Sequence, residues 1–314
     1  MKINYFIDEK LEFFESILAV NGYWKFQAKK WYDTELQEFP YGHALQEFFA
    51  PYKDAKVFSV LTQICNIVLD CSDFLYFPSI YSIENGKFVL NDTKNEVVKN
   101  FGGTEKVNEL LSEMEKLYEV SKFHDFFSSS IDKSQILLST EMQEKISLNL
   151  NKLQSYIADP IPDVNIYLSP LILGNYVVHS KKPEINIVIS PAAYKNMYIW
   201  ENAEDTVLKQ VLGCSVFDNE KKLKDFLSAK YAEAKKNNPS GYQQIEARAI
   251  ELVEKAFSVR IKVLFQSQNA ETLIKNEEQK GFLGIKRFYN NLISLEKDGK
   301  FYFSDLNKLV DISF

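Results

Sequence analysis

The sequence predicts an α+β protein with a mainly helical N-terminal half packed on a C-terminal half that contains a small sheet. Glycine and proline number only 11 and 9 in 314 residues, which favours long helices over a turn-dense β-sandwich. Apolar residues recur at helical spacing in the first half, whereas the second half opens with two β-branched runs, Val164 to Leu168 and Ile185 to Ile189. Two prolines in Asp159-Pro160-Ile161-Pro162 separate these patterns. We therefore predict regions at 1–158 and 159–314.

Local signals predict the elements of the first half in order. Asp8 can cap a helix whose stripe includes Leu11, Phe14, Ile17 and Leu18. A second helical pattern runs from Pro51 to Leu69. The dipeptide Asn85-Gly86 predicts a hairpin between Tyr81–Ile83 and Lys87–Leu90. Two further helices are predicted, one from Thr104 through Leu117 and one from about Thr140 to Ile157.

The second half continues with helices after its two strands. Asn202 can cap the first of them, and Asp205 in the first turn favours the helix dipole. The second spans about Glu220 to Lys236. The third opens with Ser240-Gly241-Tyr242-Gln243, a capping box. A helix near Phe288 to Ile293 and a hairpin at Asp298-Gly299 complete the prediction.

Charge and cysteine content exclude several classes of protein. The net charge is −6 and no extended basic face is visible, so we expect no nucleic-acid partner. Acidic residues interrupt the N-terminal segment, and no stretch reaches the roughly 18 apolar residues of a membrane helix. We therefore expect a cytoplasmic protein with no membrane partner. Cys65, Cys71 and Cys214 lack the spacing of a metal knuckle and are expected to be reduced thiols.

One segment, Thr206 to Cys214, resembles the zinc-binding helix of zincin peptidases with its H-E-x-x-H motif overwritten. Lys209 stands at the first His position, Gln210 at the Glu position and Gly213 at the second His position. Two imidazoles at i and i+4 bind zinc from one helix face, and the Glu accepts a proton from the metal-bound water. A charged Lys has no lone pair, Gln is not a base and Gly has no side chain. We therefore predict no catalytic residues at this motif, no zinc and no other cofactor.

The wider sequence resembles a bacterial family of unknown function with gluzincin-type features. The resemblance is carried by the overwritten helix together with Glu47–Asp54, Ser121–Phe127 and Ile245–Ala249. It implies a zincin-like C-terminal half and, where the motif is intact, metal-dependent peptide hydrolysis. It also implies a third metal ligand on a later helix, a position that Glu246 matches.

The residues around Glu246 give a separate indication of its orientation. Its helical neighbours are Tyr242, Gln243, Ala249 and Ile250, and three of these four suit a packed face. An inward carboxylate that has lost its zinc either takes up a proton or gains a cation. We predict the second, an ion pair with Lys209 within about 4 Å. The alternative is a helix register that leaves both side chains in water.

No other motif assigns a reaction. The three histidines, His43, His124 and His179, are far apart, and His124 in its aromatic setting is expected to be structural. The function predicted first is a non-catalytic pseudopeptidase that binds a peptide or protein. The alternatives are an active hydrolase that uses an unidentified site and a structural or assembly subunit. The sequence predicts no oligomeric state.

Overall fold

The computed structural model describes residues 1–22, 40–68, 72–84, 86–130, 140–169, 171, 176–179, 184–189 and 245–313. The described helices of the first half are α1 (Glu9–Val20), α2 (Pro40–Phe49), α3 (Lys56–Cys65), α4 (Ser72–Tyr76), α5 (Glu96–Asn100), α6 (Thr104–Ser121), α7 (Phe123–Ser130) and α8 (Thr140–Tyr156). Those of the second half are α9 (Ile245–Gln266), α10 (Ala270–Gln279), α11 (Ile285–Leu295) and α12 (Leu306–Ser313). The strands are β1 (Ile3–Phe6), β2 (Tyr81–Glu84), β3 (Lys87–Leu90), β4 (Asp163–Leu168), β5 (Tyr176–His179) and β6 (Glu184–Ile189). Short 3₁₀ turns occupy Ala50–Tyr52, Phe77–Ser79 and Phe303–Asp305.

A four-stranded sheet in the order β1-β4-β6-β5 joins the N-terminus to the second half. Strands β1, β4 and β6 run parallel, and β5 runs antiparallel to β6 at one edge. The sequence pattern does not predict β1. Its pairing with β4 crosses the boundary predicted at residue 158, so the two predicted regions share one sheet.

Three asparagines stand in register across the parallel strands. Asn4 Nδ2 donates to Asn165 Oδ1 at 2.9 Å, and Asn165 Nδ2 donates to Asn186 Oδ1 at 3.0 Å. Asn165 is buried. If the pairing of its strand shifted by one residue, its amide would be separated from these partners and its apolar neighbours would turn out of the core. The row of amides therefore helps to fix the register of the sheet.

The opposite face of the sheet packs into a core that also contains the helices. That face presents buried aliphatic side chains, among them Val164, Ile166 and Ile187, and these belong to the same cluster as the aromatic residues of α1 and α7. Helix α1 is enclosed on all sides, because every residue from Leu11 to Ala19 is buried. The polar residues between Leu11 and Ala19 are therefore placed inside the core.

Most of the local predictions are confirmed. Asp8 caps α1 by accepting a hydrogen bond from Leu11 N at 2.8 Å, and the predicted hairpin is β2 and β3. The predicted strands are β4 and β6, to within one residue at each end. Within the described part of the pattern from Pro51 to Leu69, only Lys56–Cys65 form an α-helix, and Pro51 lies in the separate 3₁₀ turn Ala50–Tyr52 before it. The helices predicted after Asn202 and from Glu220 to Lys236 lie outside the described residues. No helix in the described ranges is both long and apolar enough to cross a membrane.

Candidate functional site

The predicted motif falls largely outside the part of the chain that the structure describes. Lys209, Gln210 and Gly213 are not among the described residues. Glu246 is the second residue of α9, in its first turn, but its side chain is not described. The predicted ion pair between Lys209 and Glu246 stays a prediction.

The described residues contain a different unusual group, two buried carboxyl side chains on α1. Glu12 and Glu15 are each 0 % exposed. Their spacing of three residues places them on the same side of the helix, where side chains at this separation are neighbours. Glutamate is almost never fully buried without a partner. We refer to Glu12 and Glu15 together as the carboxylate pair.

Few groups satisfy the hydrogen-bonding capacity of the carboxylate pair. Tyr41 of α2 donates its hydroxyl to Glu12 Oε2 at 3.1 Å. The buried hydroxyl of Ser169, just after β4, is a second neighbour of Glu12 and lowers its pKa. Glu12 Oε1 and both oxygens of Glu15 have no hydrogen-bond partner among the described residues. Side chains from α1, α2 and the end of β4 therefore converge on a site with unsatisfied acceptors.

Burial dominates the electrostatics of the pair. It raises the pKa of Glu12 to about 8, although the hydroxyls of Ser169 and Tyr41 oppose the shift, while the nearby Asp8 adds to it. Burial also raises the pKa of Glu15 well above its ordinary value, and the charge of Glu12 adds to the shift. Carboxyl groups perturbed in this way are concentrated at functional sites, although structural networks also contain them. The carboxylate pair is therefore the leading candidate site within the described residues.

A second polar group on α1 faces solvent. His124 of α7 places its Nδ1 at 3.1 Å from both carboxylate oxygens of Glu9, and the Tyr118 hydroxyl donates to Glu9 Oε1 at 2.5 Å. The aromatic neighbours Phe123 and Phe127 are buried, but the side chain of His124 is 65 % exposed. A carboxylate that accepts from Nδ1–H leaves Nε2 as the proton acceptor, the tautomer that a general base requires.

Two other buried ionic groups have a structural role. The Arg260 guanidinium binds Glu296 through two contacts of 2.7 and 2.8 Å, and Tyr156 donates to the same carboxylate at 2.7 Å. This network ties α8, α9 and the end of α11 together. Lys255 of α9 lies 2.8 Å from Glu277 of α10. The first group joins the last helix of the first half to the second half, and the other joins two helices within the second half.

The sequence contains a local signal for the burial of the carboxylate pair. Glu12 and Glu15 are among the acidic residues that interrupt the N-terminal segment, and they also lie within a run of large apolar residues, Phe13, Phe14, Ile17 and Leu18. Apolar residues on more than one side of a helix indicate burial all round, and acids in such a run are then buried too.

Neither metal-ligand groups among the described residues nor known proteins add an assignment of function. No group of three or more His, Cys, Asp or Glu able to hold a metal ion occurs in the described part of the chain. Comparisons with protein-family models, with curated proteins and with solved structures find no match to this chain.

Proposed function

We propose that the protein is a non-catalytic pseudopeptidase of zincin-like fold that binds a peptide or another protein. The observation that carries the proposal is the identity of the residues at Lys209, Gln210 and Gly213. None of them can ligate zinc or act as the base at its motif position. The order of elements supports it, because strands β4 and β6 precede α9, which carries Glu246 in its first turn.

The sheet offers a means of binding an extended chain. Strand β5 lies at one edge and runs antiparallel to β6, and among the described residues its outer edge has no partner strand. An extended peptide can add to such an edge through main-chain hydrogen bonds, with alternate side chains providing specificity. A peptide bound in this way needs no metal and no catalytic base.

Zinc content and peptide hydrolysis together test the proposal. We expect elemental analysis of the purified full chain to find no stoichiometric zinc. A broad peptide library should give binding without cleavage, measured by fluorescence anisotropy and mass spectrometry on the same samples. About one tightly bound zinc per chain, or zinc-dependent cleavage, would refute the pseudopeptidase proposal.

The Glu9–His124 pair favours a second candidate, a hydrolase that uses no zinc. Its carboxylate-oriented imidazole has the geometry of a general base. If library peptides or simple esters are hydrolysed, the His124→Gln variant should lose the activity. An activity that survives this change, or no activity at all, rejects the second candidate.

A further inference from the structure

The unsatisfied oxygens of the carboxylate pair need an explanation beyond protonation. A buried polar group without a partner destabilises the fold, and more so if it is charged. Taking up a proton removes the charge of Glu15, but the resulting carboxylic acid still has a donor and an acceptor to satisfy. Neither oxygen of Glu15 has such a partner among the described residues. A ligand that contacts several oxygens at once would satisfy them together.

We propose that Glu12 and Glu15 form a binding site for one divalent cation of the oxygen-preferring class, namely Ca²⁺, Mn²⁺ or Mg²⁺. Two carboxylates supply the two negative charges that such an ion requires. The three unpartnered oxygens, Glu12 Oε1 and both oxygens of Glu15, are all fully buried. The hydroxyl groups of Tyr41 and Ser169, which neighbour Glu12, contribute only oxygen atoms to the surroundings of the pair. An all-oxygen set selects hard cations over zinc, which prefers nitrogen and sulfur donors in closed sites.

The surrounding hydrogen bonds fit this use of the pair. The Tyr41 hydroxyl binds Glu12 Oε2, which leaves Oε1 as the free oxygen of that carboxylate. Hydrogen-bond partners of a carboxylate ligand orient that ligand in known metal sites. Tyr41 belongs to α2, and Ser169 follows β4, so a bound cation would tie α1 to both the helical half and the end of the sheet. The site is separate from the Lys209–Gly213 motif and goes beyond the proposed function.

The test uses the full chain, stripped with a chelator and dialysed into metal-free buffer. Melting is followed by circular dichroism with CaCl₂, MnCl₂, MgCl₂ or ZnCl₂, and binding is followed by calorimetry. An ion at 100 times its Kd should raise the melting temperature by about 4 °C, at about 2.1 cal/mol/K of unfolding entropy per residue. We expect the largest rise with Ca²⁺, Mn²⁺ or Mg²⁺ and a stoichiometry of one.

Matched variants identify the ligands. Glu15→Gln and Glu12→Gln should each abolish the rise, and Glu47→Gln, which changes an exposed glutamate on α2, should keep it. Two variants are used so that misfolding of one leaves the other informative. No rise in the unmodified chain overturns the proposal and leaves water or protons as the partners of the pair. A rise that both variants retain also overturns it, because the ion is then bound elsewhere. The zinc analysis of the proposed function is a separate readout, so either proposal can fail alone.

Discussion

Replacing Glu15 with methionine should stabilise the metal-free protein, although most substitutions in a core destabilise it. Methionine is unbranched and similar in length, so it can occupy the same space on α1 without polar atoms. The change removes two buried oxygens that have no partner among the described residues. Relief of that penalty is worth about 1–3 kcal/mol. A gain of about 2 kcal/mol corresponds to a rise of about 3 °C in melting temperature for a chain of this length.

Glu12→Met provides the matched comparison. It is the same substitution on the same helix, three residues earlier, at a side chain that is equally buried. Here the change also removes the acceptor of Tyr41, whose hydroxyl is left buried without Glu12 Oε2. We therefore expect Glu12→Met to be less stable than Glu15→Met by about 1–3 kcal/mol.

Urea unfolding in the presence of a chelator measures both variants against the unmodified chain. Tryptophan fluorescence and circular dichroism should report the same transition, with an unchanged dependence of free energy on urea. If Glu15→Met unfolds at lower urea than the unmodified chain, the carboxyl group has stabilising partners. The carboxylate pair would then not be a site with unsatisfied acceptors.

Three further predictions concern the second half of the chain. Arg260→Met should lower the free energy of unfolding in urea by about 3 kcal/mol, because it leaves the buried Glu296 carboxylate without its partner. This is the lower end of the range for such a loss, since Arg260 and Glu296 retain 15 % and 9 % exposure. A double-mutant cycle with Glu296→Gln that shows no coupling would contradict this prediction. The ammonium groups of Lys255 and Lys280 hold the pKa of Glu277 below its ordinary value, although burial opposes this shift. The Glu277 carboxylate therefore adds stability above about pH 4.5, and this stability is lost as the pH falls through the lowered pKa. Glu277→Gln should flatten the dependence of stability on pH in this acidic range, and an unchanged dependence would rule the effect out. The triple change Lys209→His, Gln210→Glu and Gly213→His should give measurable zinc affinity by calorimetry but little activity, and a folded triple variant that binds no zinc would count against Glu246 as a third ligand.

The sequence predicts those parts of the fold whose signals are local. The Asp8 cap, the hairpin around Gly86 and the start of α6 at Thr104 each depend on residues a few positions apart, and each is confirmed. Strand β1 has only four residues and pairs with a strand about 160 positions later, as in Ile3 with Val164. No periodicity within β1 could have indicated that partner.

The candidate site was missed for the same physical reason. Helical spacing correctly placed Leu11, Phe14, Ile17 and Leu18 on an inward stripe. It could not show that the other sides of α1 are also covered, because the covering groups come from α2 and from the end of β4. The opposite holds for the predicted zincin motif, because its residues are recognised in the sequence but lie outside the described structure.

The carboxylate pair is informative because the core around it gives no structural reason for acidic side chains. Helix α1 is enclosed by apolar packing, and methionine or leucine at position 15 would fit that setting without an unsatisfied atom. Sequences tend to depart from such local rules at functional sites, where another requirement outweighs stability. Glu12 retains one partner from α2, so the departure is greatest at Glu15. If Glu15→Met is stabilising in a chelator and abolishes the cation response, both results have one cause: a carboxylate whose partner is the ion.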